Sequence, residues 1–335
     1  MSPRQAVQAA FRFEQVEPVP YWLQWDKELD AGLDEYFGSC AWRKRVVPYV
    51  VGRHFGHREK PVSVERSHDA FGTVFRIGNI LHVEQPVLSE PSLKGYRWPE
   101  PNELIDWDEI DAFLAPFPQS FRMCGLAMGL FERSWLMRGF ENILVDMMLV
   151  PDFVHELLDG ILDLHLRVMD RIVARVPLDA YFGGDDWCDQ RTVMMGLDLW
   201  RQFFKPRLQQ MVRHCHELGL AYVLHSCGNV APLVDDLLEI GLDGLESLQA
   251  ESMNVYKLKR KVAGRMVLIG GMGVQRLIPF GTPDEIREET CRLIRELGQG
   301  GGYVLGPSKP IPAGTPVANA AAFIETAMQY GASRP

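Results

Sequence analysis

The sequence predicts an α/β fold, a (β/α)8 barrel of the TIM type with an elaborated N-terminal excursion. Three observations carry that prediction. Short apolar runs alternate with amphipathic helical stretches through the second half of the chain. Runs of this kind between helices read as parallel strands buried on both faces. Gly219, Gly241, Gly264 and Gly298 each follow a helical stretch, where a left-handed cap is wanted. A Walker or Rossmann phosphate loop is missing, because residues 298–302 lack both the spacing and the preceding strand. That removes the main ground for a doubly wound open sheet, and one barrel domain over residues 1–335 is expected.

The elements follow in order. Residues 19–25 read as the first strand and 120–126 as the next. Between them, residues 27–118 are rich in Pro and aromatic side chains, with brief strand signals at 74–77 and 82–84. This span reads as an insertion covering one end of the barrel. A helix over 153–176 shows apolar Val154, Leu157, Leu158, Ile161, Leu162 and Leu164 on one face. Strand 180–184, helix 197–218, strand 221–224, helix 233–240 and strand 244–248 succeed it. Helix 255–262, strand 266–269, helix 283–297, strand 302–305 and helix 318–330 complete the pattern.

Composition excludes several classes of function. Acidic residues number 44 against 35 basic ones, for a net charge of −9, and no Lys/Arg block stands out. That argues against nucleic acid or an anionic membrane surface as a partner. No apolar run approaches the roughly 18–20 residues of a bilayer span; residues 143–150 come nearest, and Asp146 interrupts them. The N-terminus lacks a signal-peptide pattern, so a cytoplasmic location is expected. The six cysteines are scattered and are expected to be reduced, small core residues.

In a parallel barrel the chemistry lies at the C-terminal ends of the strands. Alternation along a strand puts His225 and Cys227 on one side, an imidazole and a thiol that make half of a zinc site. Glu246, near the end of the next strand, can complete a His/Cys/Glu set. Residues 183–187 present two glycines, then Asp185 and Asp186. Consecutive strand residues face opposite sides, so one of the two aspartates enters the cavity as a general acid or base, and the sequence does not rank them. Lys309 follows the last strand and faces the same mouth. Trp22 or Trp25 there suits a flat aromatic ligand. Gln24, Trp187, Gln249 and Met272 at the same rim complete the candidate substrate-contacting set.

These residues resemble the uroporphyrinogen decarboxylase superfamily along nearly the whole chain. The likeness is strongest at 183–187, Lys205-Pro206-Arg207, 225–229, Gly270-Gly271 and 279–285, with Asp69-Ala70-Phe71-Gly72 leading to Pro99. The resemblance implies a distorted barrel with its active site at the strands' C-terminal ends. True decarboxylases of the family carry an Arg-rich segment after the first strand. Here Gln24-Trp25-Asp26-Lys27-Glu28 is net acidic, which suits a polycarboxylate tetrapyrrole badly. The other branch, zinc-dependent methyltransferases working with corrinoid proteins, carries an H-x-C-G motif like His225-Ser226-Cys227-Gly228.

On that branch the resemblance implies Zn2+ held by His225, Cys227 and Glu246. Lys309 stands where the branch usually has a last Cys ligand. It further implies a corrinoid (cobalamin) on a separate partner protein, and a small-molecule O-methyl donor such as a methoxylated aromatic. Asp185 or Asp186 would then give a proton to the ether oxygen. A homodimer is a candidate assembly. Two alternatives stand beside this expectation. One is a metal-free decarboxylase or lyase using Asp185 or Asp186 as its acid; the other is a catalytically silent barrel that binds a small ligand.

Overall fold

The structure, a computed structural model, describes residues 1–56, 60–78 and 82–330. Seven parallel strands form one sheet in chain order: β1 (Val50–Phe55), β2 (Phe121–Leu126), β3 (Ala180–Gly184), β4 (Ala221–His225), β5 (Gly244–Leu248), β6 (Val267–Met272) and β7 (Tyr303–Pro307). Beyond β7 the chain's own beginning takes the eighth position, through parallel bridges Tyr21 to Leu305 and Trp25 to Ile311. Its other side packs toward β1: a Cβ on Gly52 would lie 3.0 Å from the Trp22 ring, and the Tyr21 hydroxyl accepts from Val47 N–H. The fold is a TIM-type barrel, as the alternating pattern predicts.

From β3 onward the sheet strands are mostly apolar and buried, with Val223, Leu224, Leu245, Leu268 and Val304 essentially inaccessible. Amphipathic helices cover them. The longest, Pro151–Arg175, buries Val154, Leu157, Leu158, Ile161 and Leu164. Each helix returns the chain to the bottom of the sheet, so loops after the strands converge at one end.

Several elements differ from expectation. Residues 19–25 form only bridges, because Pro18 and Pro20 offer no N–H to a ladder. Within the span 27–118, β1 belongs to the barrel sheet, pairing in register with β2 from Val50–Phe121 to Phe55–Leu126. Arg53 and His54 broke its apolar run and hid it. The rest of that span includes the helices Asp30–Tyr36 and Trp107–Leu114 and a four-stranded antiparallel sheet. A buried ion pair at 2.6 Å, Asp69 with Arg133, fastens this small sheet to the helix Leu130–Arg138. The helical stretch 197–218 splits at Phe204 into Leu197–Phe203 and Lys205–Glu217, since Pro206 withholds a helical N–H. Gly298 closes the helix Pro283–Gly298 rather than capping it; the left-handed residues are Gly300, Gly301 and Gly302. Cys124, Cys188 and Cys215 are buried as expected, whereas Cys40 is exposed. No helix among the described residues is long and apolar enough to cross a membrane.

Candidate active site

Backbone hydrogen bonds tie the ends of β3, β4 and β5 together. Asp185 N–H donates to His225 O at 3.0 Å, and Ser226 N–H to Glu246 O at 2.7 Å. This places Asp186, His225, Cys227 and Glu246 around one point. The Cys227 sulfur lies 3.3 Å from His225 Nε2, and Asp186 Oδ1 lies 3.9 Å from the same nitrogen. Asp186 Oδ1 also accepts from Cys227 N–H at 2.7 Å, which holds the carboxylate beside the sulfur. Donor atoms of Asp186, His225 and Cys227 all lie within 4.8 Å of one another, close enough that they could hold a metal ion. Glu246 stands on the far side of the imidazole, its Oε2 2.5 Å from Nδ1.

The two aspartates have separate tasks. Asp185 is 2% exposed, and its carboxylate accepts from Phe131 N–H and Glu132 N–H at 2.8 and 2.9 Å. It caps the first turn of the helix Leu130–Arg138. Asp186 is the one that reaches the cavity, half-buried beside Cys227. The adjacent glycines make room for side chains rather than for a ligand. A Cβ on Gly183 would fall 2.1 Å from Tyr222 Oη, and one on Gly184 3.1 Å from the His54 ring.

Of the other expected contacts, Trp22 lies in the barrel, edge-on to Phe182 with ring centroids 5.9 Å apart. Trp25 turns away: its indole N–H donates to Asp30 at 2.9 Å and its ring leans on Trp42. Gln24 is half-buried, and its carbonyl accepts from Ile311 N–H. Gln249 is buried and accepts from Gly228 N–H at 3.0 Å, bracing the loop that carries Cys227. Trp187 packs on Trp200, and Met272 is fully buried at the end of β6. Both belong to the core. Lys309 is exposed, with its ammonium facing the Cys227 sulfur, Asp186 and Glu246.

Two side chains at the site escaped the sequence reading. His54, from β1, stacks on Phe182 at 4.0 Å and stands edge-on to His225, ring centroids 6.0 Å apart. Burial, aided by the neighbouring His225, pushes its pKa down to about 3, so it is a neutral imidazole. Glu132 is brought in by the capped helix and faces Asp186 and His225. Burial first, and the Asp186 charge second, push its carboxyl up to about 7. Recognising β1 would have exposed His54; no local pattern marks Glu132. Burial also acts to lower the pKa of His225 and of Lys309. The Glu246 and Cys227 charges outweigh it for His225, and Cys227, Asp186 and Glu246 do so for Lys309.

Fold and site together define a TIM-type barrel with a mixed carboxylate, imidazole and thiol cluster at the mouth. The family model for uroporphyrinogen decarboxylase (URO-D) matches residues 73–330, and the chain belongs to that family. A methylcobamide:CoM methyltransferase MtbA of Methanosarcina acetivorans is 22% identical over 280 residues, covering 81% of this chain and 78% of the relative. A methylated-thiol–coenzyme M methyltransferase of Methanosarcina mazei is 22% identical over 190 residues, 56% of this chain and 47% of the relative. The chain thus spans about half the length of that second relative. A solved methyltransferase from Methanosarcina mazei superposes with a TM-score of 0.72 at 19% identity, covering 98% of this chain and 99% of the other. That likeness supports the barrel.

Proposed function

We propose that this protein is a zinc-dependent methyltransferase that moves a methyl group from an O-methyl donor, such as a methoxylated aromatic, to a corrinoid carried by a separate protein. The observation that carries the proposal is the Cys227 sulfur 3.3 Å from His225 Nε2, with a carboxylate beside it at the barrel mouth. A tetrahedral zinc with bonds of about 2.3 and 2.1 Å to S and N would set those atoms roughly 3.6 Å apart. The residues present fit the metal. Relatives named as methylcobamide:CoM methyltransferases support the corrinoid-linked methyl transfer in this reading.

When bound, zinc supplies Lewis-acid activation of the donor oxygen, easing departure of the alkoxide or phenoxide as the methyl group leaves. The chain's own residues do the rest. Trp22, half-buried within the barrel, offers an aromatic ring suited to a flat donor. Glu132, with its carboxyl near neutrality, holds a proton at the mouth for the leaving oxygen. Lys309 offers an ammonium to an anionic group of the donor. Anionic groups outnumber cations here, with Asp186, Glu246 and the Cys227 thiolate set against Lys309 and His225. That balance favours a divalent cation and disfavours a polycarboxylate substrate.

The test is direct. Protein supplied with zinc should hold about one ion per chain, and Cys227→Ala should lose most of it. Wild type given 2-methoxyphenol and a reduced corrinoid protein should methylate the corrinoid, read from its absorption spectrum. Uroporphyrinogen should not be turned over. Metal-free wild type, or coproporphyrinogen as a product, would replace this reading with decarboxylation.

A further inference from the structure

We infer that Asp186 is the third metal ligand of this centre and that Glu246 is not a ligand but the group that orients His225. The inference rests on the reading that the site holds a divalent metal. It departs from the His225/Cys227/Glu246 set that the sequence suggests.

Geometry separates the two carboxylates. Imidazole binds a metal through one nitrogen along its lone pair. Cys227 and Asp186 lie on the Nε2 side, at 3.3 and 3.9 Å from that nitrogen. A metal about 2.1 Å from both would set Asp186 Oδ1 roughly 3.4 Å from Nε2, so a shift of about half an ångström completes the triangle. Glu246 Oε2 lies 2.5 Å from Nδ1, across the ring. With the metal about 2.1 Å beyond Nε2, that oxygen stands roughly 6.5 Å from it, three times the length of a zinc–carboxylate bond. Moving the metal to Nδ1 would abandon Cys227.

Glu246 has its own task on that side. A carboxylate on Nδ1 keeps the proton there, so Nε2 presents its lone pair to the metal. Glu246 is itself 6% exposed and sits on β5, so the imidazole is fixed from a rigid element. Asp186 is held from the opposite direction by Cys227 N–H. Asp186 and the Cys227 thiolate together neutralise a dication, leaving the fourth position open on the side that Lys309 faces.

Cobalt(II) is the probe, because its absorption reports both thiolate bonding and the ligand field without any turnover. Wild type should bind about one cobalt per chain with a sulfur-to-cobalt charge-transfer band. Glu246→Gln, which can still accept from Nδ1–H, should keep both the band and the ligand-field pattern while affinity falls about tenfold. Asp186→Asn should change the ligand-field bands and weaken binding by more than about a hundredfold. Asp186→Ser repeats the measurement should the Asn variant misfold. A wild-type-like spectrum in both Asp186 variants, or an altered ligand field in Glu246→Gln, overturns the assignment while leaving the metal in place. Wild type that binds neither cobalt nor zinc defeats the metal reading itself.

Discussion

Replacing Asp185 by Ala should loosen the start of the helix Leu130–Arg138 and leave the proposed zinc site able to bind its metal. The first N–H groups of a helix find no partner within it. Here Phe131 and Glu132 donate to Asp185 instead, at 2.8 and 2.9 Å. Gly129 permits so close an approach, since a Cβ there would meet Asp185 Cβ at 2.7 Å. Alanine would strand both donors at a position only 2% exposed. Each unsatisfied buried donor costs about 1–3 kcal/mol. Water entering the vacated space recovers part of that, so about 3 kcal/mol is expected for the pair. At about 1.4 kcal/mol per decade this is roughly a hundredfold loss of hydrogen-exchange protection. Exchange measured by mass spectrometry on a peptide spanning 127–139 reads it locally, without assuming that the whole barrel unfolds in one step. Asp185→Asn, which keeps one acceptor oxygen, should lose about half as much. Zinc content should stay at the wild-type level in both variants, because the donors proposed for the metal are Asp186, His225 and Cys227. Protection within about threefold of wild type in Asp185→Ala, or zinc lost while protection persists, would refute the separation of roles.

Two further outcomes are expected. Lys309→Ala should retain zinc and weaken donor binding, whereas Lys309→Cys should tighten zinc and suppress methyl transfer by filling the open position; chelator competition beside an activity assay reads both, and zinc loss in Lys309→Ala would contradict the geometry. His165 is buried, its Nε2 donating to Met128 O at 3.2 Å, and burial pushes its pKa down to about 4. An unfolded histidine titrates near about 6.5, so the unfolded chain takes up the extra proton first as pH falls. Its share of stability is full above about pH 6.5 and is lost toward pH 4, amounting to about 2 kcal/mol already at pH 5. His165→Gln should flatten the pH dependence of the urea midpoint over that window, and an unchanged slope would reject the linkage.

Most of the barrel was legible from hydrophobic period alone. The strand at 244–248 and the helix at 255–262 emerge at the expected bounds, and the helix expected at 283–297 differs by one residue. Strands buried on both faces must be apolar along their length, and the helices between them must carry one apolar stripe, so the alternation is written locally. The strand Val50–Phe55 was hidden for the converse reason. Arg53 lies exposed and His54 points to the site, and both interrupt the apolar run that marks a barrel strand.

The site divides in the same way. That His225 and Cys227 share a side follows from strand alternation, a property of two neighbouring residues in one chain segment. Which aspartate faces the cavity, and on which side of the imidazole Glu246 lies, depend on how three strands and a helix are placed against one another. Asp185 is claimed by the N-terminus of a helix that begins far back in the sequence. Glu246 reaches His225 only through the register of β4 against β5, where the two residues are partners. Glu132 arrives on that same capped helix, and His54 from across the sheet. Residue types and their spacing determined what chemistry was available. Distances of a few ångströms between segments remote in sequence decided which group does what, because ligation and hydrogen bonding depend on position in space rather than order along the chain.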